Sequence, residues 1–156
     1  MAGERARFCS RRRVFGDGPG VVAGYRGRFV DVGHSDGQGD YVGVPWMLQL
    51  SNNLSVYEFG LGLNNDPSQY SELEYQISPE QISGQWHYTA AVYDGNEKRI
   101  YLDEELVGSA AESGNISYTD GGNHYIGWHN SIHQFYGYIG ELSIWNRPLS
   151  EAEISE

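Results

Sequence analysis

The sequence predicts an all-β fold, an antiparallel β-sandwich of the jelly-roll kind. Three observations predict it. From Tyr25 onward, short strand-like runs alternate with turn signals. Gly (21) and Tyr (12) are frequent, a bias toward turns and strands. No helical crossover separates the strand-like runs, which excludes a doubly wound parallel sheet. A chain of 156 residues suits one domain with a full core, and 39% hydrophobic with 20% charged residues marks it as globular.

Residues 1–20 read as an irregular basic leader or tag-like segment, and residues 21–156 as the domain. A short strand is expected over 28–32, followed by a Gly/Asp loop over 34–40. Strands over 46–50 and 54–63 flank Ser51-Asn52-Asn53, a hairpin turn, and 64–68 is a loop. In 70–77, Leu73, Tyr75 and Ile77 alternate with Glu72, Glu74 and Gln76, which predicts one dry face and one wet face. A strand over 86–93 ends at Asp94-Gly95-Asn96. Segments 99–102 and 106–110 form a pair, and 124–128 and 136–145 complete the set. Only 149–154 looks helical, with Ser150 and Glu153 spaced as a capping box.

The net charge is -11 and unevenly placed. The first 28 residues hold seven of the ten Lys and Arg against two acids, a head of +5; the rest holds three against nineteen, a body of -16. An acidic body repels phosphate backbones, which disfavours nucleic acid as a partner. The basic head could touch nucleic acid or an anionic membrane surface; the favoured reading is a solvated tail. Cys9 is the single cysteine, so neither an internal disulfide nor a thiolate-type zinc site is available. No apolar run reaches the ~20 residues of a membrane helix. Arg11 to Arg13 stand where the apolar core of a signal peptide would lie, so none is visible in this chain.

Three segments carry a resemblance to a known family. Gln85 to Gly95 holds a Trp-x-His strand running into an Asp-Gly turn. Arg99-Ile100-Tyr101-Leu102-Asp103 followed by Leu106-Val107 resembles an "IYLDG-x-LV" hairpin. Phe135 to Ser150, completed by Glu153 and Ile154, is similar to a closing strand with its "Leu-Ser-x-x-Glu-Ile" tail. In this order and spacing they resemble the laminin G-like branch of the concanavalin A-like lectin/glucanase superfamily. Physically, Trp86, Tyr88, Ala90 and Val92 are expected on one strand face, with Trp86 between two sheets. Leu142 and Ile144 are expected to point inward, with Gly140 as a bulge that brings Ile139 into phase.

The chain departs from the family pattern in three places. Glu104 replaces the hairpin Gly, which predicts a wider turn. Gly140 replaces an Asp that lies near a structural calcium in many relatives. The opening strand that normally pairs with the closing one is not recognisable: either 14–25 supplies it or the sheet edge is open, and an open edge invites a homo-oligomer.

The resemblance implies a non-catalytic recognition module that binds carbohydrate or a glycosylated protein surface through rim loops, extracellular or at the cell surface. Sugar binding needs a flat ring with amides or carboxylates for the hydroxyls. Asn64, Asn65 and Asp66, with His124, Trp128, His129 and Asn130, supply such groups. Tyr57 and Tyr75 are further candidates on a sheet face. Calcium is a possible cofactor, with Asp36 and Asp40 flanking one Gly-rich loop as ligands and Asp66 in another.

Two alternatives stand beside this. One is a glycan hydrolase or lyase. Hydrolases on this fold use an E-x-D-x-E strand, and Glu72-Leu73-Glu74 is the nearest match, with Gln76 in the third acid position. Asp103-Glu104-Glu105 diverge at a turn. The other is a structural or oligomerisation domain with no small ligand. His124, His129 and His133 read as loop and edge residues. Asn53-Leu54-Ser55 and Asn115-Ile116-Ser117 match the glycosylation sequon.

Overall fold

The structure is a computed structural model. It describes residues 7–15, 27–33, 46–51, 56–82, 86–117, 123–129, 133–134, 138–139 and 142–155. The strands are β1 (Arg7–Phe15), β2 (Gly27–Gly33), β3 (Trp46–Ser51), β4 (Val56–Leu63), β5 (Asp66–Gln76), β6 (His87–Tyr93), β7 (Glu97–Leu102) and β8 (Glu105–Ala111). Five short ones follow: β9 (Asn123–Ile126), β10 (Trp128–His129), β11 (His133–Gln134), β12 (Tyr138–Ile139) and β13 (Ser143–Trp145). Two one-turn helices are α1 (Pro79–Ile82) and α2 (Glu151–Ile154).

The strands form two large antiparallel sheets and a two-stranded ribbon of β10 and β11. One has the order β5-β4-β3-β2-β9; the other has the order β12-β1-β6-β7-β8, with β13 also paired to β1. Edge strand β5 lies over β7 and β8. The core fills the gap. Trp46, Leu48, Leu50, Phe59, Leu61 and Leu73 from the first sheet meet Ala91, Tyr93 and Ile100 from the second. In β5 the expected alternation holds: Leu73 and Ile77 are buried while Glu72, Glu74 and Gln76 are exposed.

The basic leader is corrected. Arg7–Phe15 is a strand inside the second sheet, with Phe8 opposite both Ala91 and Ile144. It supplies the opening strand that pairs with β12 and β13, so of the two alternatives the edge there is not open, and the strand lies at 7–15 rather than 14–25. Its register slips between Ser10 and Val14, where β1 advances from Thr89 only to His87 on β6. Arg11 to Arg13 fall in that slip, and a bulge erases the period-2 pattern by which a strand is read.

Trp86 is also corrected. It is 43% exposed, outside the gap between sheets. The inward residues of β6 are Ala91 and Tyr93. Ala90 and Val92 lie on the opposite face, packed with Tyr101, Leu149 and Ile154. Both faces of β6 are dry because the C-terminal tail covers the outer one. A strand buried on both sides has no alternation to fix its phase. Leu142 reaches the core as expected, whereas Ile144, placed inward from sequence, is 49% exposed on an edge strand.

The turns differ in an instructive way. Segment 64–68, expected as a loop, is a two-residue turn over Asn64 and Asn65 (φ 55 and 54), and β5 begins at Asp66. The Asp103-Glu104 turn is tight rather than wide, with φ 50 and 73 and Leu102 paired to Glu105. Both are of the type that needs two left-handed residues, which Asn and Asp tolerate and Glu does not favour. Gly95 takes φ 96, as the Asp-Gly turn requires. Asp94 Oδ1 there accepts from the Asn96 and Glu97 amides at 2.9 and 3.0 Å.

The capping box forms as expected: the Ser150 side chain accepts from the Glu153 amide, and Glu153 accepts from the Ser150 amide. Helix α1 escaped the sequence reading, although Ser78-Pro79-Glu80-Gln81 carries its signal. Gln81 Oε1 accepts from the Ser78 amide at 3.0 Å, half of a capping box with Pro in the first helical position. No helix among the described residues is long and apolar enough to cross a membrane.

Candidate functional site

Alternate residues of β3, β4 and β5 enter the core, so the others form the outer face of the five-stranded sheet. Cross-strand pairing sets them in rows. Glu72 lies opposite Gly60 and Gly60 opposite Met47; Glu74 lies opposite Glu58 and Glu58 opposite Gln49. Gln49 and Glu58 are buried on this face at 2% and 7% exposure, and Gln49 Nε2 donates to Glu58 Oε2. Pairing is what makes their burial tolerable, because a lone buried carboxylate is costly.

Beside them, Tyr70 folds over Gly60. A Cβ at Gly60 would collide with the phenol oxygen and come within 3.1 Å of Met47 Cγ. The Tyr70 hydroxyl donates to Glu72 Oε1 at 3.1 Å. The result is a half-buried ring beside the buried Gly60, with exposed acceptors at Glu72, Glu74 and Gln76.

This face runs up to the Asn64-Asn65 turn. There the segment Gly114–Ser117 crosses beside β4, with Leu63 bridged to Ile116. The Asn64 amide donates to the Asn115 carbonyl at 2.7 Å, and the Ser117 amide donates to the Gly62 carbonyl at 2.8 Å. Asn64 Oδ1 accepts from the Asn115 amide at 2.9 Å, and its Nδ2 donates to Gln69 Oε1 at 2.7 Å. Gln69 Nε2 in turn donates to Asp66 Oδ2 at 2.9 Å, and the Asn65 amide donates to Ser117 Oγ at 2.8 Å. The Asn64 side chain therefore holds the turn together. Asn115, in the second sequon, is exposed at this rim.

The remaining sequence candidates separate along the first sheet. His124 pairs with Val32, which pairs with Trp46, placing it at the Asn64 end of the sheet on the far edge strand. From there β9 runs away from that end, reaching Ile126 opposite Val30. The chain bends at Gly127 (φ 70), and Trp128 and His129 follow, His129 opposite His133 in a short ribbon. The expected single strand over 124–128 is thus two, because Gly127 adopts a left-handed conformation. Asp36, Asp40 and Asn130, with Asn53 and Gly140, lie outside the described residues. Among the described residues no three His, Cys, Asp or Glu side chains converge as a metal site. Tyr57 is buried in the core, which drives its phenol well above its ordinary range, with the Asp103 charge adding to the effect.

Two polar clusters escaped the sequence reading. At one end of the sandwich, Asp103 Oδ2 lies 2.7 Å from His87 Nδ1, and its Oδ1 accepts from the Tyr88 amide at 2.9 Å. At the other, Lys98 is buried between the sheets and its Nζ donates to Ser71 Oγ at 2.8 Å, with Glu112 Oε2 at 3.5 Å. Ser71 also bonds Glu112. Burial pulls the Lys98 ammonium below its ordinary range, and Glu112 opposes that shift. The signal was present: Lys98 precedes Ile100 by two residues on β7 and so shares its inward face.

The family model of the concanavalin A-like lectin/glucanase superfamily matches residues 19–155. No curated protein matches the chain. Among solved structures, the chain is similar to the CBM40 domain of the Ruminococcus gnavus IT-sialidase, with a TM-score of 0.74 at 15% identity over 99% of this chain and 82% of that one. That domain has also been solved bound to α2,3 and α2,6 sialyllactose. The chain is similar to domain 4 of an extracellular arabinanase from Geobacillus stearothermophilus in complex with arabinotriose, with a TM-score of 0.65 at 13% identity over 99% and 66% of the two chains. It is also similar to the SAP-like pentraxin of Limulus polyphemus, with a TM-score of 0.61 at 17% identity over 98% and 69%.

Proposed function

The chain belongs to the concanavalin A-like lectin/glucanase superfamily, and from that membership we propose that it is a non-catalytic carbohydrate-binding module. The observation that carries the reading is the half-buried Tyr70 ring, its hydroxyl end set over Gly60 on the outer face of the five-stranded sheet, with Glu72, Glu74 and Gln76 beside it. A ring on a sheet face stacks against the apolar side of a sugar, and the neighbouring acceptors take its hydroxyls. The rim at Asn64, Asn65 and Asp66 extends this surface, with His124 at the same end of the sheet; Trp128, His129 and Asn130 make a second contact region. Structural relatives solved with sialyllactose and arabinotriose support the reading. The proposed location is extracellular or at the cell surface. Asp36 and Asp40 remain the proposed calcium ligands.

Catalysis by the acids of this face is disfavoured by their partners. Of the Glu72 and Glu74 pair, Glu72 already accepts from Tyr70, and Gln76 fills the third acid position of the strand.

The test is a glycan-array screen of the purified domain with calcium and with EDTA, run beside Gly60→Ala. The added methyl meets the far end of Tyr70 and the flexible Met47 side chain, which can give by a few tenths of an ångström, so the variant is expected to fold while its ring swings off the sheet. Binding by the parent that falls at least roughly tenfold in Gly60→Ala, the loss of one stacked ring at about 1–2 kcal/mol, is the expected result. Loss in EDTA adds calcium to the site. Release of reducing sugar from any glycan on the array would overturn the non-catalytic reading.

A further inference from the structure

We propose that the glycan bound on this face is uncharged and that acidic sugars are rejected; the inference rests on the carbohydrate reading above. The three adjoining strands β3, β4 and β5 contain no Lys, Arg or His, and they carry Glu58, Asp66, Glu72 and Glu74. Glu58, Glu72 and Glu74 share the outer face in two neighbouring rows, so any sugar stacked on Tyr70 sits against carboxylates. The Tyr70 hydroxyl donates into this acidic row, whose carboxylate oxygens are acceptors. Hydroxyl and amide donors suit such a surface. The carboxylate of a sialic acid or uronate, or a sulfate group, offers only acceptors and a like charge there, and recognition of that group calls for guanidinium, ammonium or clustered amide donors.

The long-range field points the same way, since the chain carries a net charge of -11. Lys98 reaches Ser71 of β5 from the facing sheet, but its ammonium is buried between the sheets and held by Ser71 and Glu112, away from the outer face; among the described residues of this sheet the nearest basic position is Arg28, opposite Gln49 on β2. It lies across β3 and β4 from the exposed acids of β5, three strand spacings or roughly 14 Å away, beyond a Debye length of about 8 Å at physiological salt.

Two carboxylates within about 6–8 Å of a ligand charge near a surface weaken binding by roughly tenfold or more, less when salt screens them. The experiment measures the affinity of the intact chain for pairs of oligosaccharides that differ only in a terminal sialic acid, at low and high salt, alongside Glu72→Gln/Glu74→Gln. The neutral member is expected to bind at least about tenfold tighter, with the gap narrowing in high salt and in the double variant. A sialylated member that binds as tightly or tighter overturns the inference and leaves the carbohydrate reading standing. A preference that neither salt nor the double variant moves also overturns it, because the discrimination then arises elsewhere. No binding to either member of any pair overturns the carbohydrate reading and this inference together.

Discussion

Replacing Glu112 by Gln isolates the energetics of the one buried ammonium among the described residues. Lys98 Nζ has Ser71 Oγ at 2.8 Å and Glu112 Oε2 at 3.5 Å, and its side chain is 2% exposed against 27% for Glu112. At an effective dielectric constant near 20, a pair at this distance attracts by roughly 4–5 kcal/mol. Partial solvent access to Glu112 reduces this, so the variant is expected to lose about 2–3 kcal/mol and leave an uncompensated buried charge. Lys98→Met is the contrast: it removes the charge with its desolvation cost, keeps the volume, and is expected to change stability by less than about 1 kcal/mol.

The pH dependence has a definite sign. Lys98 is pulled below its ordinary 10.5 in the native state, so the unfolded state binds more protons between that lowered value and 10.5. Stability therefore rises with pH through that window, and more steeply in Glu112→Gln, whose ammonium has lost its main support. Equilibrium urea unfolding across the alkaline range measures all of this. A loss below about 0.5 kcal/mol for Glu112→Gln, or a larger loss for Lys98→Met than for Glu112→Gln, would refute the reasoning.

Three further outcomes are expected. Glu104→Gly should stabilise the domain by about 1 kcal/mol, since Glu104 holds φ 73 in a turn that suits glycine; an unchanged melting temperature would contradict it. Deleting residues 1–15 removes a strand paired on both sides, so a large fall in melting temperature or failure to fold is expected, and a variant as stable as the parent would show that β1 contributes nothing. The carboxyl of Glu153 is lowered to about 2 by Arg147 and the Ser150 cap. Its contribution is present above the ordinary 4.5 and lost as pH falls toward 2, so hydrogen exchange in the C-terminal helix should quicken in acid before the core does. Equal protection at pH values on both sides of that window would count against the cap.

The sequence by itself determined the elements whose signals are local. The alternation of Leu73, Tyr75 and Ile77 with Glu72, Glu74 and Gln76 set the faces of β5, and Ser150 with Glu153 set the start of α2. Those signals are local because each is written within one or two turns of chain. Three matters needed the tertiary structure. Arg7–Phe15 became a strand through Ala91 and Ile144, more than eighty residues away, and its bulge hides the period. The phase of β6 was open because Leu149 and Ile154 make its second face dry. The role of Asn64 was set by Asn115: an amide free in sequence to greet a ligand is bonded within its own turn. The ring over Gly60 was equally invisible, since Tyr70 and Gly60 meet only when β5 lies beside β4. Local patterns encode which residues want to be buried; which neighbour buries them depends on contacts between segments distant in the chain.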